Sequence, residues 1–114
     1  LAASHRLNKY SESEHIDMEE WQNRHSAFHK SLVVGCMSPR LLQIRHSLYE
    51  KSTRYRNLWL KENISNTENL GINQKEHTEL LNLALSRDTE GATRLIEDHI
   101  LTPVEIIKKS LSQL

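Results

Sequence analysis

The chain has 114 residues, enough for one domain with a modest buried core. Its 15 basic and 15 acidic residues cancel, which excludes a strong overall field toward nucleic acid or an anionic membrane. One cysteine excludes an intrachain disulfide and suits a reducing cytoplasm, and no apolar run reaches bilayer length, so we expect no membrane association.

Helices are predicted through most of the first half of the chain. Residues 1–10 read as the end of a helix, and a chain that opens in this way without Met is expected to be a piece of a longer protein. Asp17 is predicted to cap the next helix, with Glu20 completing a capping box. That helix should end near Gly35 and places five side chains on one stripe: Trp21, His25, Phe28, His29 and Leu32.

Ser38 and Pro39 predict the cap and first position of a long helix that extends to about Leu60. Five of its side chains align roughly on one face: Leu41, Leu48, Ser52, Tyr55 and Trp59. Residues 62–72 have the composition of a loop.

Asn73 and Glu76 then resemble a second capping box, which would open a helix carrying His77, Leu80, Leu81 and Ala84. After a turn at residues 87–89, a last helix is predicted from about Glu90 to Ser112. Its inward residues are Ala92, Leu95, Ile96, His99, Ile106 and Ile107. Pro103 predicts a kink or local unwinding just after His99. The expected fold is all-α, an antiparallel helical bundle.

Four of the seven histidines are predicted to face inward. His25 and His29 are one helical turn apart on one face, whereas His77 and His99 lie on two further helices. Imidazole is a borderline-soft ligand, so these four side chains are candidate ligands of a first-row divalent metal. The alternative is that they are packed, hydrogen-bonded core residues. The remaining histidines are expected to be solvated or partly packed, namely His5, His15 and His46.

Arg45 and Arg56 lie on or beside the inward face of the long helix, where an unpaired guanidinium is costly. They are interpreted either as members of an intrachain salt bridge, as snorkelling side chains, or as a bidentate clamp for a ligand carboxylate. An interior metal together with an interior arginine would describe a pocket for a small carboxylic acid.

Sequence motifs for catalysis are missing. Ser26 follows the first histidine of the pair, where a zinc protease needs a glutamate, and no phosphate-binding loop occurs. The chain is therefore predicted not to be an enzyme. Two alternatives stay open: a metal-dependent helical-bundle enzyme, which would need a base that the inward stripes lack, and a metal-free binding domain.

Three segments resemble the effector-binding C-terminal (FCD) domain of GntR-type transcriptional regulators of the FadR subfamily. HSAFHKSL at residues 25–32 resembles its D-x-x-F-H-x-x-L signature, and SPRL at residues 38–41 resembles its N-P-x-L. The stretch from His77 through Ser86-Arg87-Asp88 to His99 resembles its second histidine block. The segments GCMSPRLLQ, RYRNLWL and HILTP are most similar to carbon-starvation-induced regulators of that subfamily.

This resemblance implies a dimer-forming sensory domain that holds a divalent metal and a small organic acid. The ligand positions fall on His25, His29, His77 and His99, with His25 where the family has an aspartate. An all-imidazole set should favour Zn or Ni, or Cu, over Mn or Mg. The resemblance also implies that the first helix and the DNA-binding winged helix-turn-helix domain precede residues 1–114. DNA would then be bound only through that missing domain. The relatives suggest five-carbon dicarboxylates of the glutarate type as effectors.

Overall fold

The computed structural model describes residues 1–12, 16–63 and 67–112, and within these residues all regular structure is helical. There are six α-helices: α1 Ala2–Ser11, α2 Met18–Val33, α3 Pro39–Lys51, α4 Thr53–Asn63, α5 Thr67–Leu85 and α6 Thr89–Ser112. A 3-10 turn at Val34–Cys36 joins α2 to α3. The predicted all-α helical bundle is confirmed.

The core lies where α1, α2, α4 and α5 meet. Its buried apolar side chains are Leu7, Trp21, Phe28, Leu60, Leu70 and Leu80. Leu95 and Ile96 of α6 pack against this cluster from outside. Because one apolar face of each helix is drawn to the same centre, polar side chains on those faces are carried inward as well.

Two of the predicted helix starts are confirmed by their caps. The Asp17 carboxylate accepts a hydrogen bond from the backbone N–H of Glu19 at 2.9 Å, and the Ser38 hydroxyl accepts one from Leu41 at 3.3 Å. The second bond of the predicted capping box, from the backbone N–H of Asp17 to the side chain of Glu20, is wrong. Glu20 pairs with Arg24 instead, and the backbone N–H of Asp17 donates to the Tyr10 hydroxyl.

The single helix predicted from Ser38 to Leu60 is wrong, because Ser52 divides it into α3 and α4. The Ser52 hydroxyl donates to the carbonyl of Tyr49 at 2.9 Å, a local bond that competes with regular helix geometry. The aligned face meets the core at its end, where Trp59 packs against it, whereas Leu41 and Leu48 are each 61% exposed and Tyr55 is exposed too.

The loop predicted at residues 62–72 is also wrong for most of its length. Helix α5 already begins at Thr67, so Asn73 and Glu76 lie inside it and form no capping box. Burial of Leu70 in the core outweighs the weak helix propensity of the polar residues around it. Residues 64–66 lie outside the described part of the chain.

Helix α6 stays helical through Pro103, so the local unwinding expected after His99 does not occur. The kink stays a prediction. Ile106 of this helix and Ala84 of α5 were both expected to face inward, but both are exposed, because the core ends before it reaches either position.

The turn predicted at residues 87–89 is confirmed and includes the start of α6. Arg87 adopts a left-handed conformation with φ 60°, which reverses the chain direction. The Asp88 carboxylate then accepts a hydrogen bond from the backbone N–H of Gly91 at 2.9 Å. This bond satisfies one of the free donors at the start of the helix that carries His99.

Replacement of Asp88 by alanine is expected to lower the free energy of unfolding by about 1 kcal/mol, because the first turn of α6 loses its cap. Asp88→Asn keeps an acceptor oxygen and should cost less. Urea denaturation of both variants measures the difference. Equal stability of the Asp88→Ala variant and the parent chain would show that the cap contributes nothing.

Candidate metal centre

Three helices bring the four inward histidines to one point. His25 and His29 lie one turn apart on α2 and flank Phe28 in sequence, and the burial of Phe28 fixes the rotation of that helix. His77 of α5 is three residues before the buried Leu80. His99 of α6 follows Leu95 and Ile96, which pack on the core.

The Nε2 atoms of these histidines converge. The distances are 3.0 Å from His25 to His77 and 3.0 Å from His25 to His29. His77 lies 3.2 Å from His29 and 3.1 Å from His99. Each of the four offers a ring nitrogen, and these atoms all lie within 4.8 Å of one another. A zinc ion with nitrogen ligands at 2.0–2.1 Å separates neighbouring ligands by ~3.3 Å. The spacing and the donor type therefore fit a first-row divalent metal.

Burial keeps three histidines of the cluster neutral, namely His25, His29 and His77. His77 is 1% exposed and His99 is 8% exposed. Burial, with additional repulsion from His29 and His99, lowers the pKa of His77 to about 2. Burial together with the charges of His99 and Arg45 lowers the pKa of His29 to about 3. Only a deprotonated imidazole nitrogen can bind a metal, so these side chains hold their ligand form at neutral pH.

The pKa of His25 also falls well below its ordinary value, mainly through burial and then through the charges of the neighbouring histidines and Arg56. Its ring stacks on Trp21, with centroids 4.5 Å apart and an angle of 21° between the planes. The indole nitrogen of Trp21 donates to the Ser11 hydroxyl at 3.2 Å, which anchors this stack to α1.

Sequence reasoning missed Glu76, whose carboxylate oxygen Oε2 lies 2.6 Å from Nδ1 of His99. A carboxylate therefore contacts the cluster, contrary to the expectation that the inward stripes carry none. The available signal was its place directly before His77 on α5, facing the neighbouring helix.

Arg56 lies beside the cluster and donates to the side chain of Gln22 at 2.7 Å and to the carbonyl of Tyr49 at 2.8 Å. Its guanidinium also stacks on the Tyr49 ring at 3.5 Å from the centroid. Within residues 1–12, 16–63 and 67–112, neither Arg56 nor Arg45 forms an ion pair with a carboxylate. The salt bridge that was one interpretation of these arginines is therefore not found in the described residues. Arg56 lines a cleft of about 1020 Å³ between the start of α2 and the α3–α4 junction.

The two other histidines in the described residues do not join the cluster. His5 and His46 are exposed, and His46 is 2.9 Å from Glu50 on its own helix. Both agree with the prediction of solvated side chains. His15 lies outside the described residues.

Comparison with known proteins identifies the family. The FCD domain matches residues 2–102. The chain belongs to the FCD domain family. The resemblance to GntR-type regulators is confirmed by a relative in Escherichia coli (strain K12), the HTH-type transcriptional repressor GlaR, which is 37% identical over 98% of this chain and 52% of its own length. The uncharacterized HTH-type transcriptional regulator BphR of Paraburkholderia xenovorans (strain LB400) is 27% identical over 96% of this chain and 44% of its own length.

This FCD domain thus spans about half the length of the curated relatives it matches. No solved structure matches it. None of the helices in the described ranges combines the length and the apolar character needed to cross a bilayer.

Proposed function

We propose that this FCD domain is the sensory domain of a bacterial transcription regulator and binds a small carboxylic acid at a four-histidine metal centre. The convergence of four imidazole nitrogens at one point carries the proposal. His25, His29, His77 and His99 would hold the ion, and Zn or Ni is the preferred choice because nitrogen-only ligand sets suit them. When bound, the ion would supply a positive centre with affinity for a carboxylate oxygen.

Arg56 is the residue proposed to recognise the other end of the acid. Its guanidinium already has a fixed orientation through Gln22, Tyr49 and the Tyr49 ring, so little side-chain entropy would be lost on binding. It also lacks a carboxylate partner in the described chain, which leaves its charge available. Arg45, whose charge reaches His29, is the second candidate for the clamp.

A dicarboxylate between the histidines and Arg56 would link α2, α5 and α6 to α4. The acid would therefore bind more tightly to the packing of the bundle in which these helices are closest. This difference in affinity between two packings is what a switch requires. We propose that a homodimer transmits the change to a DNA-binding domain elsewhere in the longer protein. We propose that the protein acts in the cytoplasm and on transcription rather than catalysis, and the relatives, which are named as transcriptional regulators, support the second point.

Calorimetric titration tests the proposal, with glutarate as the probe acid because the resemblance suggests five-carbon dicarboxylates. Zinc-loaded protein is expected to bind glutarate at least about tenfold more tightly than protein stripped with a chelator, since one charge-assisted contact contributes roughly 1.5–3 kcal/mol. Equal affinity of the loaded and stripped forms would contradict a metal-bridged acid.

Replacement of Arg56 by glutamine is expected to weaken glutarate binding about 10- to 100-fold, because the charged half of the clamp is lost. Arg40→Gln is the matched control, since Arg40 is exposed on α3 and the substitution removes the same charge from the surface. Calorimetry on zinc-loaded protein measures both. Equal losses in the two variants would indicate a general electrostatic effect and not a clamp.

A further inference from the structure

The carboxylate of Glu76 contacts His99, one of the four histidines of the cluster. The oxygen Oε2 lies 2.6 Å from Nδ1 of His99, a short distance for a hydrogen bond. The His99 side chain is 8% exposed and the Glu76 side chain is 30% exposed, so the bond lies at the edge of the buried cluster. The two residues are 23 positions apart and join α5 to α6.

The geometry has a chemical consequence for His99. A carboxylate oxygen at this distance acts as the acceptor, so we assign the hydrogen in this bond to Nδ1 of His99. An imidazole with its one N–H at Nδ1 keeps a lone pair on Nε2. That atom is the one 3.1 Å from Nε2 of His77, at the convergence point of the cluster. The bond thus selects the tautomer that can bind a metal.

We propose that Glu76 is a positioning residue of the metal centre, which holds His99 in its ligand tautomer and supplies negative charge to a ligand set that has none. The inference rests on the proposed metal binding. A carboxylate that accepts from a ligand histidine makes the imidazole a stronger donor and offsets part of the charge of a bound dication. The competing explanation is an ordinary polar link between α5 and α6 that contributes only to folding.

Glu76→Gln separates the two explanations because it keeps the size of the side chain and removes its charge. Glu79→Gln is the matched control, since Glu79 is one turn along the same helix and exposed. Chelator competition should show zinc affinity falling about 10- to 100-fold in Glu76→Gln and staying at the parent value in Glu79→Gln. Circular dichroism and urea denaturation of the metal-free forms report any change in folding.

A spectroscopic measurement isolates the tautomer. In ¹⁵N NMR of the metal-free parent protein, His99 is expected to show a protonated Nδ1 and an unprotonated Nε2. In Glu76→Gln it should show a mixture, because an amide can accept from or donate to Nδ1. A purely structural link would not require this shift. In a His99→Ala background, Glu76→Gln should cause a much smaller loss of zinc affinity than in the parent protein, since the residue acts mainly through His99.

Zinc affinity unchanged by Glu76→Gln, in a parent protein that does bind zinc, would overturn this inference and leave the metal centre standing. A parent protein without zinc affinity would overturn both. A protonated Nε2 on His99 in the metal-free parent would overturn the assigned orientation independently of any metal titration.

Discussion

Alanine at position 77 is expected to weaken zinc binding a hundredfold or more. The Nε2 atom of His77 is within 3.2 Å of those of the other three histidines, so it occupies the centre of the ligand set. A structural zinc site with four ligands contributes about 10–16 kcal/mol. Removal of one ligand should therefore cost ~3 kcal/mol, a loss of affinity of a hundredfold or more.

Chelator competition and elemental analysis of the purified protein measure this effect. His46→Ala is the control, because His46 is exposed on α3 and pairs with Glu50 of the same helix. Circular dichroism of the His77→Ala protein verifies that the bundle is formed. A His77→Ala protein that folds and keeps the zinc affinity of the parent protein would contradict the four-histidine centre.

The metal-free protein is expected to lose stability steeply when the pH falls below about 6.5. In the folded state the pKa of His29 is about 3, that of His77 is about 2, and that of His25 is well below its ordinary value. In the unfolded chain each returns to ~6.5. Between the folded-state and the unfolded-state pKa values, the unfolded chain binds more protons than the folded protein. The free energy of unfolding is therefore highest above pH ~6.5 and decreases on acidification.

Three such histidines imply a slope of at most ~4 kcal/mol per pH unit. Urea denaturation in the presence of a chelator, from pH 8 to pH 5, measures it. His29→Asn removes one titrating group and should reduce the slope by about a third. A denaturation midpoint that does not change between pH 8 and pH 5 in the parent protein would show that the buried imidazoles do not remain neutral.

The features predicted correctly from the sequence are those specified by local chemistry or by helical period. Asp17 and Ser38 mark helix starts because their side-chain oxygens accept from free backbone donors. The stripe with Trp21 and Phe28 identifies the buried face of α2, and it places His25 and His29 correctly beside that face.

The errors have two other origins. The break at Ser52 accompanies a local hydroxyl bond to Tyr49, which a serine within a helical pattern does not predict. The other errors depend on tertiary contacts. The early start of α5 depends on the burial of Leu70 against other helices. Glu76 is recognised as a partner of His99 only after α5 and α6 are packed side by side, since 23 positions separate the two residues.

The stack of Trp21 on His25 would make the fluorescence of Trp21 a reporter of metal binding at the histidine cluster. The centroid of the Trp21 ring lies 4.5 Å from that of His25, a candidate ligand, and 6.4 Å from that of Trp59. An open-shell ion such as Ni²⁺ or Cu²⁺ held by His25 would quench the emission of Trp21, whereas closed-shell Zn²⁺ would alter it through charge alone. Fluorescence of the unlabelled chain therefore distinguishes the two kinds of ion without a dye.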